Sequence, residues 1–200
     1  MSILVEHTLK AASGLEEGEV LLPKELLHLA SRAAIDQALS RLTREGKLMR
    51  IARGAYVAPI AGQFGSRPPS AEKAIHSLAR KCGETVAAHG AAAANALGLT
   101  TQVPVREVFV TSGRSRRLQF GARVVELKHA PAWQLKLGDS LAGSAVRAIA
   151  WLGEAHAREG VAKLKQRLPP AEWQVLVASR AALPVWMAKA VGEASVAQHG

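Results

Sequence analysis

Between Val20 and Val57 the chain reads VLLPKELLHLASRAAIDQALSRLTREGKLMRIARGAYV, and its spacing of apolar, capping and turn residues leaves few folds open. Ser31 is a good helix N-cap because its hydroxyl can accept from a first-turn amide. Gly46 is a good stop because it tolerates the left-handed backbone at helix ends. Between them Ala34, Ile35, Ala38, Leu39 and Leu42 form one apolar stripe, so this helix turns that face to a core. Pro23 suits the first turn of a shorter preceding helix, and a first helix is expected before Gly14. After Gly46, KLMRIARGAYV offers Leu48, Ile51 and Val57 as inward residues and Gly54 where φ is positive, which predicts a two-stranded hairpin. Short helix, tight turn, amphipathic helix and basic hairpin together have the form of a winged helix-turn-helix. The turn itself, His28-Leu29-Ala30, lacks the glycine common in such turns, which leaves the angle between the two helices open.

The outer face of the second helix holds Ala33, Asp36, Gln37, Ser40 and Arg44, flanked by Arg32 and Arg41. A helix lying in a DNA major groove needs small residues for close approach, amide or guanidinium groups for base edges, and flanking cations for phosphates. Any surface helix turns polar residues outward, so the face alone does not decide. Lys47, Arg50 and Arg53 on the hairpin favour DNA over a winged helix that has become a protein docking module, because they extend the positive charge where a wing would meet the backbone. Residues 32–53 carry six Lys/Arg against two Asp/Glu, whereas residues 1–31 carry two against five. The candidate DNA-binding set is therefore Arg32, Ala33, Asp36, Gln37, Ser40, Arg41, Arg44, Lys47, Arg50 and Arg53.

Two hundred residues with 48% apolar and 21% charged content are ample for one or two packed domains, and a net charge of +10 suggests a polyanionic partner. The N-terminus has neither a basic leader nor a long apolar core, and no apolar run approaches the ~18 residues of a membrane span, so a cytoplasmic, non-membrane protein is expected. Cys82, the single cysteine, excludes an intrachain disulfide and lies in a helical AIHSLARKCG pattern that predicts a buried thiol.

The expected class is α+β, mostly helical. Residues 1–58 form the winged helix; 59–69, within the proline- and glycine-rich APIAGQFGSRPPS, form a connector rather than an element; and 70–200 form a mixed C-terminal domain with a small antiparallel sheet and helices. In that domain a helix is expected from Ser70 to Gly83, an alanine-rich one over about 85–97, two or three strands over 106–130, and helices over about 133–136, 141–152, 155–167, 171–182 and 185–191. The tryptophans 133, 151, 173 and 186 fall in those helical patterns and are expected to pack in the core or against a partner.

SRAAIDQALSRLTREGKLMRIARGAYVAP, with HGAAAANALGLTTQVP and VFVTSGRSRRLQFGARVVELKHA, resembles the AbiEi-type antitoxins of type IV toxin–antitoxin systems and their single-chain relatives over most of residues 20–130. The resemblance implies a winged helix that represses its own operon by binding operator DNA. It also implies a C-terminal domain that counters a nucleotidyltransferase-like toxin without a stable complex.

A second basic cluster, Arg114, Arg116 and Arg117, lies between two expected strands and is a candidate anion or toxin-related site; a solvated loop is the plain alternative. His89 has Asn95 as its one polar neighbour of interest, and no catalytic order, paired carboxylates or phosphate loop accompanies it. Seven histidines lack ligand spacing. No catalysis, cofactor or metal is expected. Two function classes stay open: repressor and antitoxin, or a stand-alone winged-helix transcription factor whose C-terminal domain senses a ligand or dimerises.

Overall fold

The computed structural model describes residues 3–63 and 65–196. The chain is α+β, 53% helical, with small antiparallel sheets. Its contacts divide it into two compact units, one of residues up to Glu84 together with Arg116–Glu126, the other of Thr85–Ser115 and the chain from Leu127 onward.

In the first unit, α1 (Ile3–Ser13) is followed by β1 (Val20–Leu21), a 3₁₀ turn (Pro23–Leu26), α2 (Arg32–Arg44), β2 (Met49–Ala52) and β3 (Ala55–Val57). Pro23 opens the 3₁₀ turn, and Glu25 closes it locally by accepting from the Leu22 amide at 2.8 Å, so the short helix expected to begin at Pro23 is one tight turn. Ser31 caps α2 by accepting from the Ala34 amide, and Gly46 beyond its end has φ +70°. β1 pairs antiparallel with β3, and β3 with β2, giving the order β1-β3-β2. The stripe expected on α2 is buried except at its edge, where Ala34 is half-buried: Ile35, Ala38, Leu39 and Leu42 join Val5, Leu21, Leu26, Leu48 and Tyr56 in one core. Burying each such large side chain stabilises by roughly 1.5–3 kcal/mol, which is what fixes α2 on the sheet.

Residues 59–69 are not a bare connector. β4 (Ile60–Gly62) and β5 (Gly65–Arg67) pair antiparallel there, because the prolines flank the hairpin rather than interrupt it. α3 (Ala71–Cys82) is capped by Ser70 and ended by Gly83, as expected, but it belongs to the first unit. Its buried Ser77 hydroxyl accepts from the Val20 amide at 3.0 Å. β8 (Arg116–Phe120) lies against β2 and hairpins into β9 (Arg123–His129), which passes into the second unit after Glu126. The expected boundary at 58–70 therefore gives way to one at 84–85 plus a returning strand pair, because the apolar faces of α3 and β8 are buried within the first unit.

The second unit contains β6 (Val86–Ala88), α4 (Gly90–Ala96), β7 (Glu107–Thr111), the end of β9, α5 (Ala132–Leu135), α6 (Leu141–Leu152), α7 (Glu154–Arg167), α8 (Pro170–Ala178) and α9 (Val185–Val196). β6 pairs antiparallel with β7, so the alanine-rich helix begins at Gly90 and not near 85; alanine has little say against a strand partner. α6 to α9 enclose Val146, Ile149, Val161, Leu164, Leu176, Met187 and Val191. α4 lies so close to α6 that a Cβ at Gly90 would strike the Arg147 carbonyl and the Trp151 side chain. Trp173 is buried and Trp133 and Trp186 pack on this core, but Trp151 is 37% exposed.

Candidate nucleic-acid interface

Arg32, Ala33, Gln37, Ser40, Arg41 and Arg44 all lie on the exposed side of α2, opposite the stripe that anchors it. Asp36 is half-buried and accepts from Arg32 Nε at 3.0 Å, so its carboxylate holds an arginine rather than facing outward alone. Arg41 Nε donates to Glu45 Oε1 at 2.8 Å and Lys47 Nζ lies 3.0 Å from Glu45 Oε2. Arg41 first and Lys47 second hold the Glu45 carboxyl below its ordinary pKa. Solvent screens exposed pairs of this kind, so a phosphate can take over either cation at small cost. Arg44 and Arg53 form no ion pair among the described residues.

The hairpin turn places Arg53 beside Gly54, whose φ of +71° suits a residue without a side chain. Arg50 is exposed and donates to the Ala52 carbonyl at 3.3 Å, within the irregular register between Arg50 and Ala52. The ten expected residues thus gather on one helix face and one hairpin of the first unit.

The second basic cluster does not form one loop. Arg116 and Arg117 are successive residues of β8 and point to opposite faces. Arg116 meets Glu84 through two hydrogen bonds, 2.9 and 2.6 Å, while Arg117 reaches Glu126 at 3.3 Å. Arg114 precedes the strand and belongs to the second unit. Glu45 and Glu84, which set these cations, were missed in sequence; the Arg41–Glu45 spacing was readable as i,i+4, the pairing of residues 84 and 116 was not.

Cys82 is exposed at the end of α3, contrary to the expected buried thiol: it falls in line with Ala74, Ile75 and Leu78 but is the helix's last residue, past the packing that covers them. In the second unit His89 caps α4 by accepting from the Ala91 amide, and partial burial lowers its pKa, with Lys128 adding to that. It borders a cleft of about 450 Å³ whose wall is otherwise mostly Ala, Val, Pro and Phe109. Among the described residues no three His, Cys, Asp or Glu converge as metal ligands, and no helix is long and apolar enough to cross a membrane.

No curated protein and no solved structure matches the chain. The profile of one family, described as a family of unknown function, matches residues 5–170, which takes in the α2 face, the hairpin and both arginine clusters. On that match the chain belongs to the family DUF6088.

Proposed function

We propose that the protein is a DNA-binding transcriptional repressor and antitoxin of a type IV toxin–antitoxin system. Its first unit would act as a winged helix-turn-helix on the operator of its own operon, and its second would counter a nucleotidyltransferase-like toxin. One observation carries the DNA part: the order helix, strand, 3₁₀ turn, helix, hairpin closes through β1-β3-β2 and leaves the α2 face and the hairpin turn exposed and cationic. α2 supplies groove-reading groups and the hairpin supplies phosphate contacts. The antitoxin part is supported by the sequence resemblance alone.

Duplex affinity should fall with salt at a log–log slope of about −4 to −5, corresponding to four to six phosphates neutralised. Arg50→Ala with Arg53→Ala should reduce that slope by about two. Fluorescence anisotropy over a salt series measures both; a flat salt response, or a double variant that binds like the wild type, would remove the reading. The same variant should derepress an operon reporter while still protecting cells that express the toxin. Gln37→Ala should relax discrimination at one base position by roughly 1–3 kcal/mol, because a glutamine amide can pair with adenine through a donor and an acceptor. Equal losses on operator and random duplex would make Gln37 a scaffold residue.

The cleft beside His89 favours a second reading, a winged-helix regulator whose second unit binds a small apolar ligand. Growth rescue on co-expression with a toxin gene selects the first reading, and ligand-dependent release of DNA without rescue selects the second.

A further inference from the structure

A cleft of about 390 Å³ in the first unit is walled by the 3₁₀ turn, the start of α2, the β2–β3 turn, the end of α3 and β8. Four cations line it, Lys24, Arg32, Arg53 and Arg116, against one carboxylate, Glu84. Glu84 grips Arg116 through both oxygens, with the two side chains 18% and 26% exposed, so the guanidinium is fixed in the wall. Lys24 is exposed and donates to the Lys81 carbonyl at 3.2 Å. Arg32 is the first residue of α2, where the helix dipole adds positive potential. Three arginines and a lysine lining one hollow, with Arg116 held by Glu84 and Arg32 by Asp36, suit a phosphate, because guanidinium forks match its oxygens.

We propose that this cleft seats a backbone phosphate of duplex DNA, with Lys24 and Arg116 acting beside Arg32 and Arg53. The proposal rests on the DNA-binding reading above. The ligand is a DNA strand rather than a free anion because the cleft is lined by both the start of α2 and the hairpin turn, the two elements of the DNA-binding reading. A strand held by both elements passes over it. Arg116, 63 residues beyond Arg53 in sequence, thereby joins the DNA face, while Arg117 on the opposite side of β8 stays outside it.

Cys82 also lines the cleft and is the chain's only cysteine, which makes it a reporter. The full-length protein is titrated with a mixed-sequence duplex of roughly 25 base pairs, long enough for one module with its flanks. Lys24→Glu and Arg116→Gln should each weaken binding about 5–10-fold near physiological salt and reduce the salt slope by about one. Glu84→Gln with Arg116→Gln, which leaves no unpaired carboxylate, should reproduce the Arg116→Gln result. Saturating duplex should protect Cys82 from N-ethylmaleimide, and millimolar inorganic phosphate should not. If the wild type binds duplex but Lys24→Glu and the double variant match it in affinity and slope, the cleft proposal fails and the α2–hairpin reading stands. If phosphate alone protects Cys82 as well as duplex does, the cleft is a free-anion site and the proposal fails. If the wild type binds no duplex, both fail.

Discussion

Arg147→Ala should destabilise the second unit by roughly 3–5 kcal/mol, the range for removing one member of a buried, hydrogen-bonded charged set. Arg147 is 1% exposed in the middle of α6. Its Nη1 donates to the Gly138 carbonyl at 2.7 Å and to the Gln134 carbonyl at 3.4 Å, and its Nη2 donates to Ser144 Oγ at 3.2 Å. Burial pushes its pKa down, and Asp139, 4.0 Å away, partly restores it. Truncation would take the guanidinium from one carbonyl in α5 and one just after it and leave a cavity; each effect alone costs on the order of 1–3 kcal/mol. The carbonyls decide between this and the opposite expectation, that an apolar replacement of a buried charge is harmless. Arg147→Met keeps most of the volume but satisfies neither carbonyl, so it should recover only part of the loss. Thermal unfolding followed by circular dichroism checks this, with the alanine variant melting about 10 °C lower, at 2–4 °C per kcal/mol for a chain of this size. A methionine variant as stable as the wild type would show that the guanidinium is dispensable. Duplex binding at low temperature should be unchanged in either variant, because the proposed DNA face lies in the first unit.

What could be read from sequence was local. Ser31, Gly46 and Gly54 bracket α2 and the hairpin because capping and positive φ are decided within a few residues, and the structure places all three as expected. The strands over 106–130 were legible through alternation, though not whether there were two or three. Val86–Ala88 was not, since a run of alanines becomes a strand only when a partner such as β7 supplies the ladder. Cys82 was misplaced because helical periodicity gives the face but not where the last turn projects. In the candidate site the cations were visible one by one, and their i,i+4 carboxylates were readable. The Glu84–Arg116 pair, and the presence of Lys24 in the same cleft, depend on a strand returning from residue 116 to the first unit, which no spacing encodes.

That return has its largest consequence for truncation. A fragment beginning at Ser70 should fail to fold as a cooperative unit, although the proline-rich segment before it invites the cut. α3 inside such a fragment would lose Val20, whose amide donates to Ser77; Glu25, 2.8 Å from Lys81; and Glu17, 3.2 Å from Lys73. The ion pairs matter less, because pairs open to solvent are screened and add little. The apolar face matters. Ile75, Leu78, Leu118 and Phe120 are all 4% exposed or less, all belong to the first unit and all lie beyond residue 70. Burying four such side chains is worth roughly 6–12 kcal/mol, comparable with the entire net stability of a domain, and the fragment would expose much of it to water. Dye binding and a broad urea transition are expected for the purified 70–200 fragment, against a sharp transition for the full chain; a sharp transition at the full chain's midpoint would instead make 70–200 a domain. A fragment cut at residue 84 has the complementary defect, lacking β8 and the start of β9. No single cut therefore isolates either unit, and loss of toxin protection in such a fragment would report unfolding rather than mechanism. Separating operator binding from protection calls for side-chain changes on the intact chain, and Arg50 and Arg53 suit this because both are exposed and neither contributes to a core.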